Sequence, residues 1–383
     1  MKFVDEFREP EIISRVVAEI RRLADPKRHY RFMEVCGGHT HAIYRFGLTD
    51  LLPENIELVH GTGCPVCVLP MGRIDDALEL TSDPKVVFAA FGDMMRVPGA
   101  AWSPLAWKAR GADIRIIYSP ADALKMAEKN PDRHIVFFAI GFETTAPSTA
   151  LTLVRAREKG IQNFSVFSNH VTILPAIRAI LDSPDMRIDA FLGPGHVSTV
   201  IGCKPYEWIA QREKKPIVVT GFEPLDILQS IAMLLRQLQG QLQGEDAKVE
   251  NQYTRVVPWD GNRAALRAIA QVFELRPYFE WRGMGFISQS ALRIEEEFAA
   301  WDTERRFAIR GVRVTDPKAA QCGEVLKGVL NPAQCKLFAN ECTPEQPVGA
   351  LMVSSEGSCA GYYNYEHRKT LYSDCCSSVR CVP

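Results

Sequence analysis

Met33-Glu34-Val35-Cys36-Gly37-Gly38-His39-Thr40-His41, answered by His60-Gly61-Thr62-Gly63-Cys64-Pro65-Val66-Cys67, is the stretch from which the fold is read. Each half places cysteine on a glycine-rich turn directly after a short apolar run of strand character, residues 32–35 and 56–59. Such turns expose backbone and present reactive side chains. A strand ending in a functional turn, then a helical segment, is the repeating unit of a parallel α/β layer.

Outward from there the rhythm persists. Strand-like runs at 86–91 and 114–118 alternate with helical segments at 73–80 and 121–129. A second series at 134–140, 164–167, 190–192 and 217–219 alternates with helices at 150–158 and 225–238. The pattern predicts an α/β protein: two similar domains with parallel sheets flanked by helices, with ligands beyond the carboxyl ends of the strands. Upstream, Ile12, Ile13, Val16, Val17, Ile20 and Leu23 recur at helical spacing, so that helix needs a partner surface. The polar stretch 237–246 marks a boundary, and 263–273 and 291–300 read as helices. Beyond Gln321 the rhythm is lost and cysteine becomes dense, which predicts a mainly helical or irregular carboxyl-terminal domain.

The chain has 383 residues, 46% hydrophobic and 24% charged, enough for more than one core. Lys+Arg 45 against Asp+Glu 46 gives a net charge of −1, which supplies no field for nucleic acid or anionic lipid. The charged amino terminus is no signal peptide and no apolar run spans a bilayer, so a cytoplasmic protein is expected. In that reducing compartment 11 cysteines point to metal or redox chemistry.

Cys64-Pro65-Val66-Cys67 suits a reducible disulfide or two ligands to one metal. With no second pair nearby, a redox pair plus the separate thiol Cys36 fits better than a zinc ribbon. A histidine a few residues on, with His39 the candidate, could lower the Cys36 pKa or orient a ligand; for His39 and His41 alike, helix-start capping or surface placement stands level with that role. Cys322, Cys335, Cys342 and Cys359 stand singly among small residues. Four thiolates gathered from separate loops are what a [4Fe-4S] cluster requires; a four-cysteine zinc site is the runner-up and two disulfides the weakest option. Gly141-Phe142-Glu143-Thr144-Thr145 and Gly193-Pro194-Gly195-His196 are binding loops at strand ends, with His170 and His196 read as buried, satisfied histidines and Cys203 as a structural thiol. Glu356 either relays protons or caps its Ser-Ser-Glu-Gly turn.

These motifs, with Val353-Ser354-Ser355-Glu356-Gly357-Ser358-Cys359, make the chain resemble the HypD family of hydrogenase maturation factors from the first helix to about Tyr365. The resemblance implies a scaffold on which the Fe(CN)2CO unit of [NiFe] hydrogenases is assembled with the small chaperone HypC and the cyanide donor HypE. It implies that Cys36 holds the iron together with a HypC cysteine, that Cys64 and Cys67 form a thiol/disulfide pair, and that the four late cysteines bind a [4Fe-4S] cluster. The expected layout is a helix at 1–30 packed on the carboxyl-terminal domain, α/β domains at 31–130 and 131–245, an iron-sulfur domain at 246–366 and a tail at 367–383. Two features depart from the family: Thr62 stands where it usually has proline, and the tail carries Cys375, Cys376 and Cys381. The alternative function is an iron-sulfur thiol/disulfide oxidoreductase acting on a protein disulfide, which leaves Cys36 unexplained.

Overall fold

The computed structural model describes residues 5–309, 311, 313–315, 317 and 319–367. The tail cysteines Cys375, Cys376 and Cys381 lie outside them. Nine strands form two parallel sheets. They are β1 (Tyr30–Glu34), β2 (Ile56–His60), β3 (Val86–Ala90), β4 (Ile114–Ile116), β5 (His134–Gly141), β6 (Phe164–His170), β7 (Ala190–Gly193), β8 (Ile217–Val219) and β9 (Val249–Asn251). Eight of the nine coincide with the predicted runs to within a few residues. β3, β5, β6, β7 and β8 are buried along their whole length except for His134, as sheets covered by helices on both faces must be.

The pairing corrects the contiguous division of the chain. The first sheet has the order β2-β1-β7-β8-β9 and the second β4-β3-β5-β6. Phe32 of β1 lies opposite Ala190 of β7, so residues 86–170 form a unit inserted between the halves of the first sheet. Apolar periodicity identifies strands; it carries no information on which strand is the neighbour. The 237–246 boundary also moves. The helix Pro224–Leu242 runs through most of it, and β9 then pairs with β8.

The amino-terminal helix α1 (Pro10–Leu23) packs on the helix Pro224–Leu242 of the first sheet, not on the carboxyl-terminal region. It buries Val17, Ile20 and Leu23 there, each contributing about 1.5–3 kcal/mol. Its apolar stripe was read correctly, but the complementary stripe belongs to Ile227, Ile231 and Leu234.

Beyond β9 the chain covers the second sheet. The helix Arg263–Val272 packs on Ala146–Glu158, and residue range 291–300 is a short strand (Leu292–Ile294) and a 3-10 turn (Glu296–Trp301) in place of the expected helix. Leu292–Ile294 pairs antiparallel with Phe273–Leu275, and Ser168 Oγ of β6 donates to Leu292 O at 2.9 Å. This docking to a neighbouring strand overrides local helical preference. Only residues 320–367 form the irregular cysteine-rich region, with no described helix longer than five residues. No helix among the described residues is long and apolar enough to cross a membrane.

Candidate functional site

A cleft of about 190 Å³ opens where the carboxyl ends of both sheets meet. Cys36 and Gly37 follow β1, Gly63 and Pro65 follow β2, Phe91 and Asp93 follow β3, and Gly141 ends β5, with Phe142, Thr144 and Thr145 just beyond it. His196, just past β7, and Glu356, from the cysteine-rich region, complete the rim. The insertion of one sheet into the other is what lets both strand ends face one space.

Cys36 precedes α2 (Gly37–Arg45) in extended conformation. Its backbone N–H donates to Glu34 Oε2 at 2.8 Å. The other Glu34 oxygen accepts from Thr40 Oγ1 and lies 2.8 Å from His60 Nδ1, so this wholly buried carboxylate ties strand, turn and helix together. The two cysteine turns touch backbone to backbone. Gly37 N–H donates to Gly63 O at 3.0 Å, and a Cβ on Gly63 would lie 2.6 Å from Cys36 Cα. Glycine is required at 63 by that approach rather than by its torsion angles.

The imidazole beside the Cys36 thiol is His196, with Nδ1 3.7 Å from Sγ. His196 is exposed, which corrects its reading as a buried histidine. His39 is fully buried, stacks on Phe222 at 4.7 Å and places Nε2 3.2 Å from Thr220 O. Burial lowers its pKa to about 4, so it is a neutral packing residue behind the turn. His41 instead meets Tyr365 edge-on. Phe222 is shared, since His196 stacks on its ring at 3.9 Å. Nor is the thiol acidified: burial first, then the Glu34 and Glu356 carboxylates, push its pKa up to about 12. A metal binding there has to displace the proton.

Cys64 and Cys67 are joined to each other at the start of a four-residue helix, Pro65–Val68, with Cα atoms 5.3 Å apart. Both are buried, but the flanking Gly63 and Pro65 reach the cleft. That helix packs against Ala350–Met352. Cys322, Cys335, Cys342 and Cys359 line one small cavity whose walls include Leu337, Phe338 and Met352. Gly349 N–H donates to Cys342 Sγ at 3.4 Å, and a Cβ at 349 would stand 2.5 Å from Cys322 Sγ. Cys359 has its pKa raised by burial and by the other three sulfurs. Among the described residues no three His, Cys, Asp or Glu side chains converge on a single ion position.

The segment from Gly349 to Tyr362 therefore serves both places. Gly349, Met352 and Cys359 line the cysteine cavity, Ala350–Met352 support the Cys64–Cys67 helix, and Glu356 enters the Cys36 cleft. Burial, then Asp93 and Glu34, raises the Glu356 pKa, the expected state of a carboxyl held among other carboxyls. The helix Ser358–Tyr362 packs on α2, with Gly361 against Tyr44. The expected site residues Cys36, Cys64, Cys67 and Glu356 are thus brought together, His39 stands behind them, and the four late cysteines form a separate neighbouring group. Glu34 and His196 were missed. A carboxylate inside an apolar strand was a usable signal for Glu34; for His196 the glycine-proline loop at a strand end was the signal, while its meeting with Cys36 depends on the β1–β7 pairing.

The model of the HypD family, described as "Hydrogenase formation hypA family", matches residues 11–366. The chain is 52% identical over 374 residues to the hydrogenase maturation factor HypD of Rhodobacter capsulatus, covering 95% of this chain and 98% of that protein. It is 52% identical to HypD of Escherichia coli K12 (97% and 100% covered) and 51% identical to HypD of Cupriavidus necator (97% and 99% covered). On a match of that extent, running through every turn that builds the cleft and the cysteine cavity, the chain belongs to the HypD family of hydrogenase maturation factors.

Proposed function

We propose that this hydrogenase maturation factor is the scaffold on which an Fe(CN)2CO unit is assembled, with Cys36 holding the iron as cargo. The observation that carries the reading is the placement of Cys36: a single thiol at the convergence of two sheets, in a cleft wide enough for a small complex and backed by the Cys64–Cys67 turn. A soft thiolate suits iron carrying strong-field ligands. The amino termini of α2 and of the helix Ala146–Glu158 both open at this cleft, and their positive ends favour an anionic complex.

Four cysteines round one apolar cavity, with an amide donating to a cysteine sulfur, fit a [4Fe-4S] cluster. The ligands of a four-cysteine zinc site usually come in close sequence pairs, and these four cysteines stand singly. When bound, such a cluster supplies single electrons. Cys64 and Cys67 exchange two electrons as a dithiol/disulfide pair, and the contact of their helix with Ala350–Met352 links them to the wall of the cavity. A HypC-type chaperone contributing a second thiol, and a HypE-type cyanide donor, are the partners this reading requires.

Replacing Cys36 by Ala tests it. Hydrogenase maturation in cells lacking the native factor should be lost and the brown absorbance of the purified protein retained. Undiminished maturation would refute the iron site. A protein-disulfide reductase would keep its thiol activity in that variant and lose it in Cys64→Ser.

A further inference from the structure

The motif Gly141-Phe142-Glu143-Thr144-Thr145 closes β5 on the far wall of the Cys36 cleft, and no role has yet fallen to it. Gly141 has φ +144°, and the Thr145 hydroxyl fills the space that a Cβ at 141 would take. The turn is therefore shaped round that hydroxyl. Behind it, His170 Nδ1 lies 3.3 Å from Thr145 Oγ1, and His170 Nε2 lies 3.0 Å from Thr149 Oγ1.

His170 is fully buried, and burial lowers its pKa to about 4. The ring is neutral near pH 7 and carries one N–H. Its position sets the direction of both hydroxyls. With the proton on Nε2, His170 donates to Thr149 and Thr145 donates back to Nδ1. With the proton on Nδ1, Thr149 donates to Nε2, His170 donates to Thr145, and the Thr145 hydrogen is released from the ring. Its remaining acceptors are Ile140 O and Phe142 O, both at 3.3 Å, the long end of the range for a hydroxyl donor. An anionic acceptor in the cleft outbids such contacts, because hydrogen bonds to charged groups are about twice as strong. Thr145 also opens the 13-residue helix Ala146–Glu158, whose positive end adds to the preference for an anion.

We propose that Thr145 is a hydrogen-bond donor to the outer atom of a small anionic ligand, of the cyanide class, on the iron held at Cys36, with His170 and Thr149 as its positioning residues. The inference rests on the scaffold reading and names where one of the iron's ligands points. It requires no bond to be made or broken.

The test is infrared spectroscopy of the anaerobically purified chain, produced together with its maturation partners, in the cyanide and carbonyl stretching region. Thr145→Val exchanges the hydroxyl for a methyl of similar size and should displace a cyanide band relative to wild type. Thr145→Ser should restore the wild-type position, and Thr149→Val should displace the same band by less. A Thr145→Val protein that keeps its brown absorbance and shows cyanide bands at wild-type positions overturns the assignment while leaving the scaffold reading intact. A wild-type protein without cyanide bands overturns both. If Thr145→Val does not fold, a Thr145→Ser protein with displaced bands overturns the assignment on its own, since the hydroxyl is retained.

Discussion

Cys36 stands just past the end of a strand hydrogen-bonded on both sides, whereas Cys322 and Cys359 stand on helices of five residues and Cys335 and Cys342 in the loops between them. The first position is fixed by the fold whether or not anything is bound: Glu34 anchors its amide and the Gly63 turn supports it from below. The second group is held by little regular structure, so a cluster bound there, as we propose, would itself contribute folding energy. A scaffold that loads and releases iron needs its loading site to be independent of the cargo. A resident cluster can instead be part of the architecture. The two regions share one segment, from Gly349 to Tyr362, and substitutions there and on either side separate their roles.

The largest effect is expected at the cysteine cavity. Cys342→Ser should remove the visible absorbance and cost several kcal/mol of stability, read as a large fall in thermal midpoint. Cys36→Ser should leave both unchanged, and an equal fall in the two variants would break the contrast. Next comes the contact between the cysteine turns. Gly63→Ala drives a methyl into the backbone of Cys36 and should cost about 1–3 kcal/mol, the range of overpacking, with loss of iron loading and retained absorbance. Gly349→Ala, whose methyl would meet Cys322 Sγ at 2.5 Å, should do the reverse, perturbing the visible spectrum first. Glu34→Gln is smaller. It keeps the shape but weakens the bonds to the Cys36 amide and His60, and should cost about 0.5–1.5 kcal/mol by chemical denaturation.

The smallest effect on the cysteine groups themselves is expected at a carboxylate away from both places, whose loss costs stability at neutral pH because it pairs with Arg73 and Arg276. Burial alone would raise the Glu304 pKa, but Arg73 and Arg276 outweigh it and hold the carboxylate at about 2. Because the folded value lies below the unfolded one, this group's contribution is fully present above about pH 4.5 and is lost as the pH falls towards 2. Glu304→Gln should therefore flatten the fall in stability over that acid range, measured by thermal unfolding, and leave both cysteine groups unaltered at pH 7.

Most of the secondary structure was legible because buried strands and amphipathic helices write their period into the chain. Ile217–Val219 was found residue for residue, and α1 was found by its stripe. What could not be read was neighbourhood. β7, β8 and β9 return across a long insertion to pair beside β1, and no local pattern distinguishes that from pairing with β6. The same limit applied to the site. Cys36, Cys64 and Cys67 were visible because glycine and proline mark the turns that carry them. His196, which actually meets the Cys36 thiol, reaches it only through the β1–β7 pairing. Proximity in sequence favoured His39, but its side chain follows the helix into the core.

As we propose it, Cys36 is a cargo site separate from a resident cluster at the four late cysteines. Parallel infrared and visible spectra of the wild-type and Cys36→Ala proteins, purified anaerobically from cells with the complete maturation machinery, test it most directly. The predicted result is loss of the cyanide and carbonyl bands in the variant with its brown absorbance undiminished. Bands that persist without Cys36, or absorbance that disappears with it, would contradict the account.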